Sequence, residues 1–411
     1  MEEHKVDEIV EKFGTPIQVY SEKDIKSRTL KLLDIFKTKF GKEQFKQFYA
    51  VKALPNPNIL KIITDLGCGL DCSSKTELYI AVEILKLDSS RILFTSNYTS
   101  DEDLLYAINK KVIINLDNIN LIDKLEKISE KNLPELISLR YNLNINTETD
   151  VKSNILSGNL SKFGIDYKDI KNAYDKLKKL GIKKFGIHVM CGSNVLNNNY
   201  WNILLDNLYR TINELNINFE FINLGGGFGI PYKENEKELD LKKIAENIYE
   251  KIYFYSKKNN LKIPKIYMEH GRYLTGPAGW LISKCNSIKE KDNNIIYGLD
   301  SCMSNLMRPG MYDSYHKITV HKKKGNNINS SVVGTLCENN DWFAKNINLP
   351  NNIEEKDIFI IHDTGAHSHS MGFQYNGKLR CGEVLICEDN TLKLIRKNED
   401  IEYYLQNIIY I

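Results

Sequence analysis

From about residue 26 to about residue 280 the chain alternates two kinds of segment. Short β-branched, apolar runs at 92–95, 112–115, 137–141, 185–189, 221–224 and 265–269 read as buried strands. Between them, 76–85, 170–180 and 204–215 carry apolar residues at helical spacing. Strand then helix, repeated, predicts a parallel sheet with helical crossovers. Many such units in series predict a closed β/α barrel. After about residue 280 the rhythm changes. Runs at 280–286, 295–299, 318–321, 332–336, 358–362 and 383–387 are separated by turn formers, with few helical patterns, which predicts an all-β domain. Residues 17–20 read as a strand added to it. The predicted fold class is α/β plus all-β. An N-terminal β/α (TIM-like) barrel spans 26–280, and a C-terminal β-sandwich or Greek-key domain spans 281–411 and includes the N-terminal strand, with 1–25.

Composition narrows the function classes. The 411 residues are 42% hydrophobic, enough for a large core, and 56 basic against 53 acidic residues leave a net charge of +3. So near a balance gives no case for nucleic acid, which needs a concentrated basic face. The basic run 322–324 sits beside Gly325, Asn326 and Asn327 and reads as a solvated loop. The charged start MEEHKVDEIVEKFG is not a secretory signal, and no apolar run has membrane-spanning length. The 8 cysteines are scattered without a paired metal spacing, as expected of a reduced cytoplasmic enzyme with mostly buried thiols and Cys337 as the exception.

Several segments carry candidate chemistry. In FYAVKALPNPNIL, Lys52 follows a β-prone run, at the barrel face where active sites are built. Its neighbours Tyr49, Ala50, Val51 and Ala53 are apolar or aromatic. Their burial of the amine would favour the neutral form that a Schiff base requires. A surface lysine explains Lys52 taken alone. In INLGGGFGIPY, Gly225, Gly226 and Gly227 follow an apolar strand and let backbone N–H groups approach an anion such as phosphate. A turn with no ligand is the alternative. In YMEHGRYLTGPAGWL, Glu269 ends a β-prone run. A carboxylate there suits a protonated pyridine nitrogen, and Arg272 suits a phosphate or carboxylate. A structural Glu–Arg pair is the alternative. The β-rich part offers Arg308 and Tyr312, then Cys337, Glu338 and Asp341; each alone is weak, since a lone cysteine is more often a small buried hydrophobe.

In this order, these segments resemble one family: the alanine-racemase-like (fold-type III) pyridoxal-phosphate enzymes and, within them, the diaminopimelate decarboxylases. SKFGI (161–165) and GEVLICEDN (382–390) also look like the family, so the resemblance runs from about Thr15 to about Glu388. It implies a pyridoxal 5'-phosphate-binding barrel, a β-domain, and a cytoplasmic homodimer with shared active sites. The implied reaction takes a small amino-acid substrate, meso-2,6-diaminopimelate, to L-lysine and carbon dioxide, the last step of lysine biosynthesis. No metal, nucleic acid or membrane is implied.

By resemblance, Lys52 holds the cofactor covalently. Ser193 and the Gly225, Gly226 and Gly227 loop bind its phosphate, Glu269 faces the pyridine nitrogen, and Gly271 belongs to the same site. Arg272, Arg308 and Tyr312 grip the distal carboxylate of the substrate, and Glu338 takes the distal ammonium. Cys337, from the partner subunit, donates the proton after carbon dioxide leaves, and Tyr375 lines the cofactor and substrate site. Two arginines and a carboxylate match a distal amino-acid zwitterion, for which a simple diamine precursor would have no use.

The chain also departs from the family. Met190 stands where many relatives stack a histidine on the cofactor ring, with His188 two residues earlier on the same strand face. His367 replaces a phosphate-binding tyrosine; with His369 it forms a His-x-His pair, a weak metal signal. His270 stands where proline is common, which should alter the loop little. The competing readings are a decarboxylase of ornithine, arginine, carboxynorspermidine or a D-amino acid, a racemase on the same fold, and a non-catalytic decarboxylase-like regulator. The presence of both Lys52 and Glu269 argues against the last.

Overall fold

The computed structural model describes residues 2–129, 132–145, 156–158, 161–409 and 411. The chain divides into two units: residues 26–230 and 237–273 form one, and residues 1–25, 231–236 and 274–411 form the other.

The first unit is the predicted barrel. After β1 (Ile17–Ser21), which belongs to the second unit, come β2 (Phe45–Ala50), β3 (Gly69–Cys72), β4 (Ile92–Ser96), β5 (Ile113–Leu116), β6 (Leu136–Arg140), β7 (Lys184–His188), β8 (Phe221–Asn223) and β9 (Lys265–Met268). Each pairs in parallel with the next, and β9 returns to β2, closing the barrel. Helices bridge the strands, among them Pro57–Asp65, Asp101–Asn109, Tyr200–Leu215 and Leu241–Lys258. The helix expected over 76–85 is a short one, Lys75–Tyr79, continued by the wider turn Ile80–Ile84. At the entry end, Phe48, Leu93, Phe221 and Tyr267 fill the interior, with Phe221 and Tyr267 stacked at 4.3 Å. These rings explain two glycines: a Cβ on Gly69 would lie 2.5 Å from the Phe48 ring, and one on Gly186 would lie 2.4 Å from the Phe221 ring. Large residues on some strands require small ones on their neighbours.

The second unit is a sheet of nine strands: β1 with β10 (Gly279–Lys291), β11 (Asn294–Leu299), β12 (Ile318–Val320), β13 (Asn327–Val333), β14 (Trp342–Pro350), β15 (Ile358–His362), β16 (Gly382–Ile386) and β17 (Leu392–Arg396). The long β10 organises it. Its first half lies between β1 and β15, its second half pairs with β11, and the register shifts between Cys285 and Ser287. A bulge of this kind lets one strand turn from one sheet layer into another. Leu281, Phe359 and Ile361 on one layer then pack with Tyr297, Leu299, Val332 and Phe343 on the other. The opposite face of β1, β10 and β15, bearing Ile17, Val19, Trp280, Ile282 and Ile360, packs against Val6 and Ile9 of the helix Glu3–Phe13. Alternation along each strand thus serves two cores.

One predicted strand is displaced. The run 332–336 is not itself a strand, because β13 ends at Val333. The Asp341 carboxylate accepts the N–H of Leu336, and a Cβ on Gly334 would lie 2.3 Å from it, so this stretch leaves the ladder to wrap a buried acid. The basic run at 322–324 is partly paired: Lys322 Nζ reaches Asp7 at 2.6 Å and Lys323 Nζ reaches Asp357 at 2.9 Å. Among the described residues no helix is long and apolar enough to cross a membrane.

Candidate active site

Strand periodicity builds the barrel site. Side chains two residues apart share a strand face. Moving two residues toward the C-terminal end from each interior core position gives Ala50 after Phe48, Asp71 after Gly69 and Thr95 after Leu93. Asn115 follows Ile113, His188 follows Gly186, Asn223 follows Phe221 and Glu269 follows Tyr267. An aromatic floor therefore carries a polar layer at the end where barrel active sites lie. Every one of these residues is buried.

Hydrogen bonds order the layer. Asn115 Nδ2 lies 3.0 Å from His188 Nδ1, and an amide nitrogen only donates, so Nδ1 is the acceptor. The ring proton therefore sits on Nε2, which donates to Glu269 Oε2 at 3.2 Å. Asn223 Nδ2 donates to Glu269 Oε1 at 2.6 Å, while its own Oδ1 accepts the Gly225 N–H at 3.0 Å. Burial works to raise the Glu269 carboxyl, but the hydrogen bond from His188, the charge of Lys52 and the hydrogen bond from the Asn223 amide hold it below the ordinary range. Glu269 is thus an ionised acceptor in a buried setting. Asp71 goes the other way: burial and then the charge of Glu269 push it well above its ordinary value, against the pull of Lys52. Its Oδ1 is buried without a hydrogen-bond partner among the described residues. Glu77, also facing Lys52, is raised by burial while its carboxylate accepts the Ser73 N–H at 2.6 Å.

Lys52 lies in the turn Val51–Ala53 that directly follows β2, but it is exposed, so the expected burial by its apolar neighbours is not found. Tyr49, Ala50, Val51 and Ala53 are buried around it, and Lys52, in the turn beyond the strand, is exposed.

The glycine loop follows β8 and packs tightly. Gly225 and Gly227 have φ of 67° and 104°. Cβ atoms on Gly225, Gly226 and Gly227 would lie 2.6 Å from the Val189 carbonyl, 2.7 Å from the Glu269 carbonyl and 2.9 Å from the Gly192 carbonyl. Only glycine fits these approaches. The Gly226 N–H donates to Met190 Sδ at 3.1 Å, a weak acceptor that an anion readily displaces. Met190 and Ser193 are half-buried beside this loop. His270 does more than replace a proline. Its ring stacks on Phe228 at 3.6 Å and its Nδ1 accepts the Phe228 N–H at 3.3 Å. Burial pushes its pKa down to about 3, which keeps that acceptor uncharged. A Cβ on Gly271 would lie 2.7 Å from Ala53, so this glycine lets the segment after Glu269 close on the Lys52 turn. Arg272 is half-buried and opens the one-turn helix Arg272–Thr275.

The second unit carries the remaining candidates. Arg308 and Tyr312 begin and end the helix Arg308–Tyr312, Arg308 buried and Tyr312 half-buried. Cys337 and Glu338 are exposed, and Cys337 is the only exposed one of the 8 cysteines among the described residues. Their loop is anchored by Asp341, whose two oxygens accept the N–H groups of Met303 and Leu336 at 2.7 and 2.8 Å. The Cys337 N–H donates to Asn376 Oδ1 at 2.7 Å, next to the half-exposed Tyr375. His367 is half-buried with a φ of 57°. Among the described residues no cluster of three or more metal-ligating side chains occurs.

Comparison with known proteins decides the family. The family described as "Pyridoxal-dependent decarboxylase, pyridoxal binding domain" matches residues 23–276. The chain belongs to the pyridoxal-dependent decarboxylases. Its relatives span nearly its whole length. This decarboxylase is 34% identical over 405 residues to Protein TabA of Pseudomonas amygdali pv. tabaci, covering 97% of this chain and 92% of that protein. It is 33% identical over 398 residues to the diaminopimelate decarboxylase of Methanothermobacter thermautotrophicus, covering 95% and 91%. Among solved structures, the diaminopimelate decarboxylase of M. jannaschii in complex with L-lysine matches with a TM-score of 0.88 at 30% identity, covering 98% of this chain and 94% of that one. Pyridoxal phosphate is the cofactor of the family, and the barrel fits it: Glu269 is an ionised acceptor for a ring N–H, and the glycine loop is a cradle that a Cβ would fill.

Within the barrel of this decarboxylase, His188, Met190, Gly225, Gly226, Gly227, Glu269 and Gly271 are joined by the bonds and close approaches above. In the sheet unit the Cys337 loop and the Tyr375 segment are likewise joined. Sequence reasoning missed Asp71, Asn115 and Asn223. Their signal is a polar residue near the end of an apolar run, two places after an inward-facing position.

Proposed function

We propose that the chain removes carbon dioxide from meso-2,6-diaminopimelate to give L-lysine, the last step of lysine biosynthesis, with pyridoxal phosphate as cofactor. The observation that carries this reading is the 33% identity over 95% of the chain to a diaminopimelate decarboxylase, which runs through both units. Bound pyridoxal phosphate supplies a sink for the electron pair left on the α-carbon when carbon dioxide departs. Lys52 supplies the amine that holds the cofactor, and the Glu269 carboxylate keeps a proton on its ring nitrogen, a role its depressed pKa supports. Ser193, His367 and the glycine loop bind the phosphate, with His188, Met190, Gly271 and Arg272 completing the cofactor site. Arg272, Arg308 and Tyr312 take the distal carboxylate, Glu338 takes the distal ammonium, and Tyr375 lines the substrate. Cys337 returns a proton to the α-carbon; its exposure supports a thiol presented outward from its own chain. In this reading the enzyme is a cytoplasmic homodimer in which Cys337 serves the partner's site.

Carbon dioxide release from a panel of meso-diaminopimelate, ornithine, arginine, lysine and their D-forms tests the substrate. Release from meso-diaminopimelate alone is expected, and comparable release from ornithine or arginine overturns the assignment. Purified protein is expected to be yellow, with borohydride fixing the cofactor on Lys52. Near-normal turnover by Lys52→Ala removes that residue from the site.

A further inference from the structure

Burying a guanidinium is costly unless its hydrogens find acceptors. Arg308 is 6% exposed. Its Nη1 hydrogens go to the Tyr232 hydroxyl and to His316 Nε2, each at 2.9 Å, and Nη2 donates to Ser314 Oγ at 3.3 Å. The Tyr232 ring also lies 5.0 Å from the guanidinium carbon and meets the His316 ring edge-on at 5.2 Å. A guanidinium offers only donors, so His316 Nε2 is the acceptor. The ring proton then sits on Nδ1, which donates to the His362 carbonyl at 2.8 Å, at the end of β15. Only one tautomer satisfies both contacts, and in it the ring, itself 2% exposed, is uncharged.

We infer that His316 is the positioning residue for Arg308: tied to the backbone of β15, it fixes the guanidinium in the orientation that meets the distal carboxylate of the substrate. This rests on the reading of Arg308 as a carboxylate-gripping residue. The chemistry of the partners suits such a clamp. An acid in the place of His316 would neutralise Arg308 and compete with the incoming carboxylate. A neutral imidazole and two hydroxyls orient the fork and add no negative charge beside it.

Two ligands separate this role from packing. L-Lysine keeps the distal amino-acid group of the substrate, whereas 1,5-diaminopentane has the same two nitrogens and no carboxylate. Their dissociation constants are measured by calorimetry on the cofactor-loaded enzyme, beside KM and kcat for meso-diaminopimelate. His316→Asn keeps a donor toward His362 and withdraws the acceptor for Arg308; His316→Gln puts an amide oxygen where Nε2 stood. H316N is expected to weaken L-lysine binding and raise KM about tenfold, with kcat within about twofold and diaminopentane binding unchanged. H316Q is expected to recover most of the loss. Equal weakening of both ligands, an unchanged KM in H316N, or H316Q no better than H316N overturns the role. If H316N does not yield folded protein, His316→Phe, which also lacks the acceptor, is compared with H316Q in its place. Arg308→Ala decides the underlying reading separately: undiminished L-lysine binding in that variant removes Arg308 from carboxylate recognition, whatever the His316 variants show.

Discussion

Two carboxyls of one barrel layer, Glu269 and Asp71, are driven in opposite directions, and the cause lies in their partners. Both are buried, so both suffer desolvation. Glu269 receives hydrogen bonds on each oxygen and stays ionised, whereas Asp71 has an oxygen with no donor and sits in the field of that ionised neighbour. Pairs whose environments separate their protonation states are typical of sites that handle protons. A stability prediction follows for Asp71. Below the unfolded-chain value of about 3.9, the group is neutral in both states and contributes nothing. Above it, the unfolded chain releases a proton that the folded chain keeps, so the unfolded state binds fewer protons and stability falls as pH rises. Asp71→Asn removes that penalty. Thermal unfolding of cofactor-free protein should show the variant more stable than the parent at pH 8, the difference shrinking toward pH 4. A difference independent of pH, or the parent more stable at pH 8, contradicts a protonated Asp71.

At the level of elements, the barrel strands were legible wherever both faces are apolar, since β4, β5, β6, β7, β8 and β9 coincide with the apolar runs to within a residue at either end. β3 was not, because its inward positions are Gly69, which yields space to Phe48, and Asp71, which belongs to the polar layer. In the sheet unit β14 escaped notice because Lys345, Asn346 and Asn348 leave it no continuous apolar run, and the N-terminal helix because its apolar stripe is confined to few residues. Of the candidate site, the residues that sit in local motifs, Lys52, the three glycines and Glu269, were singled out from the sequence alone. Those defined by long-range partners could not: His316 lies close to Arg308 in the chain, but what ties its ring in place is the carbonyl of His362, at the end of β15. The glycine loop is the element whose sequence is most tightly dictated by close approach. Gly226→Ala would bring a methyl group to 2.7 Å from the Glu269 carbonyl oxygen. Relief by backbone shift typically costs about 1–3 kcal/mol and here moves the loop and Glu269 together. Pyridoxal phosphate affinity, followed by absorbance, should fall about tenfold or more. An alanine variant that binds the cofactor as the parent does would show that the loop is not its phosphate cradle.

At the scale of the whole molecule, the candidate groups fall on both units: the barrel carries Glu269, Arg272 and the glycine loop, and the sheet unit carries Arg308, Tyr312, Cys337, Glu338 and His367. A residue that acts on a partner's site must be presented at the surface of its own chain, and the exposed Cys337, held by its loop anchors, meets that condition. Complementation tests the proposed sharing. Lys52→Ala and Cys337→Ala proteins are each expected to be slow alone. After dissociation and random reassociation, half of the dimers contain one chain of each kind. If each site combines Lys52 of one chain with Cys337 of the other, a mixed dimer has one site with both defects and one with none. Activity should then rise to about a quarter of the parent value. If both residues of a site come from one chain, every site keeps a defect and mixing restores nothing. Different affinity tags on the two variants distinguish that outcome from a failure to exchange subunits, because only mixed dimers carry both tags.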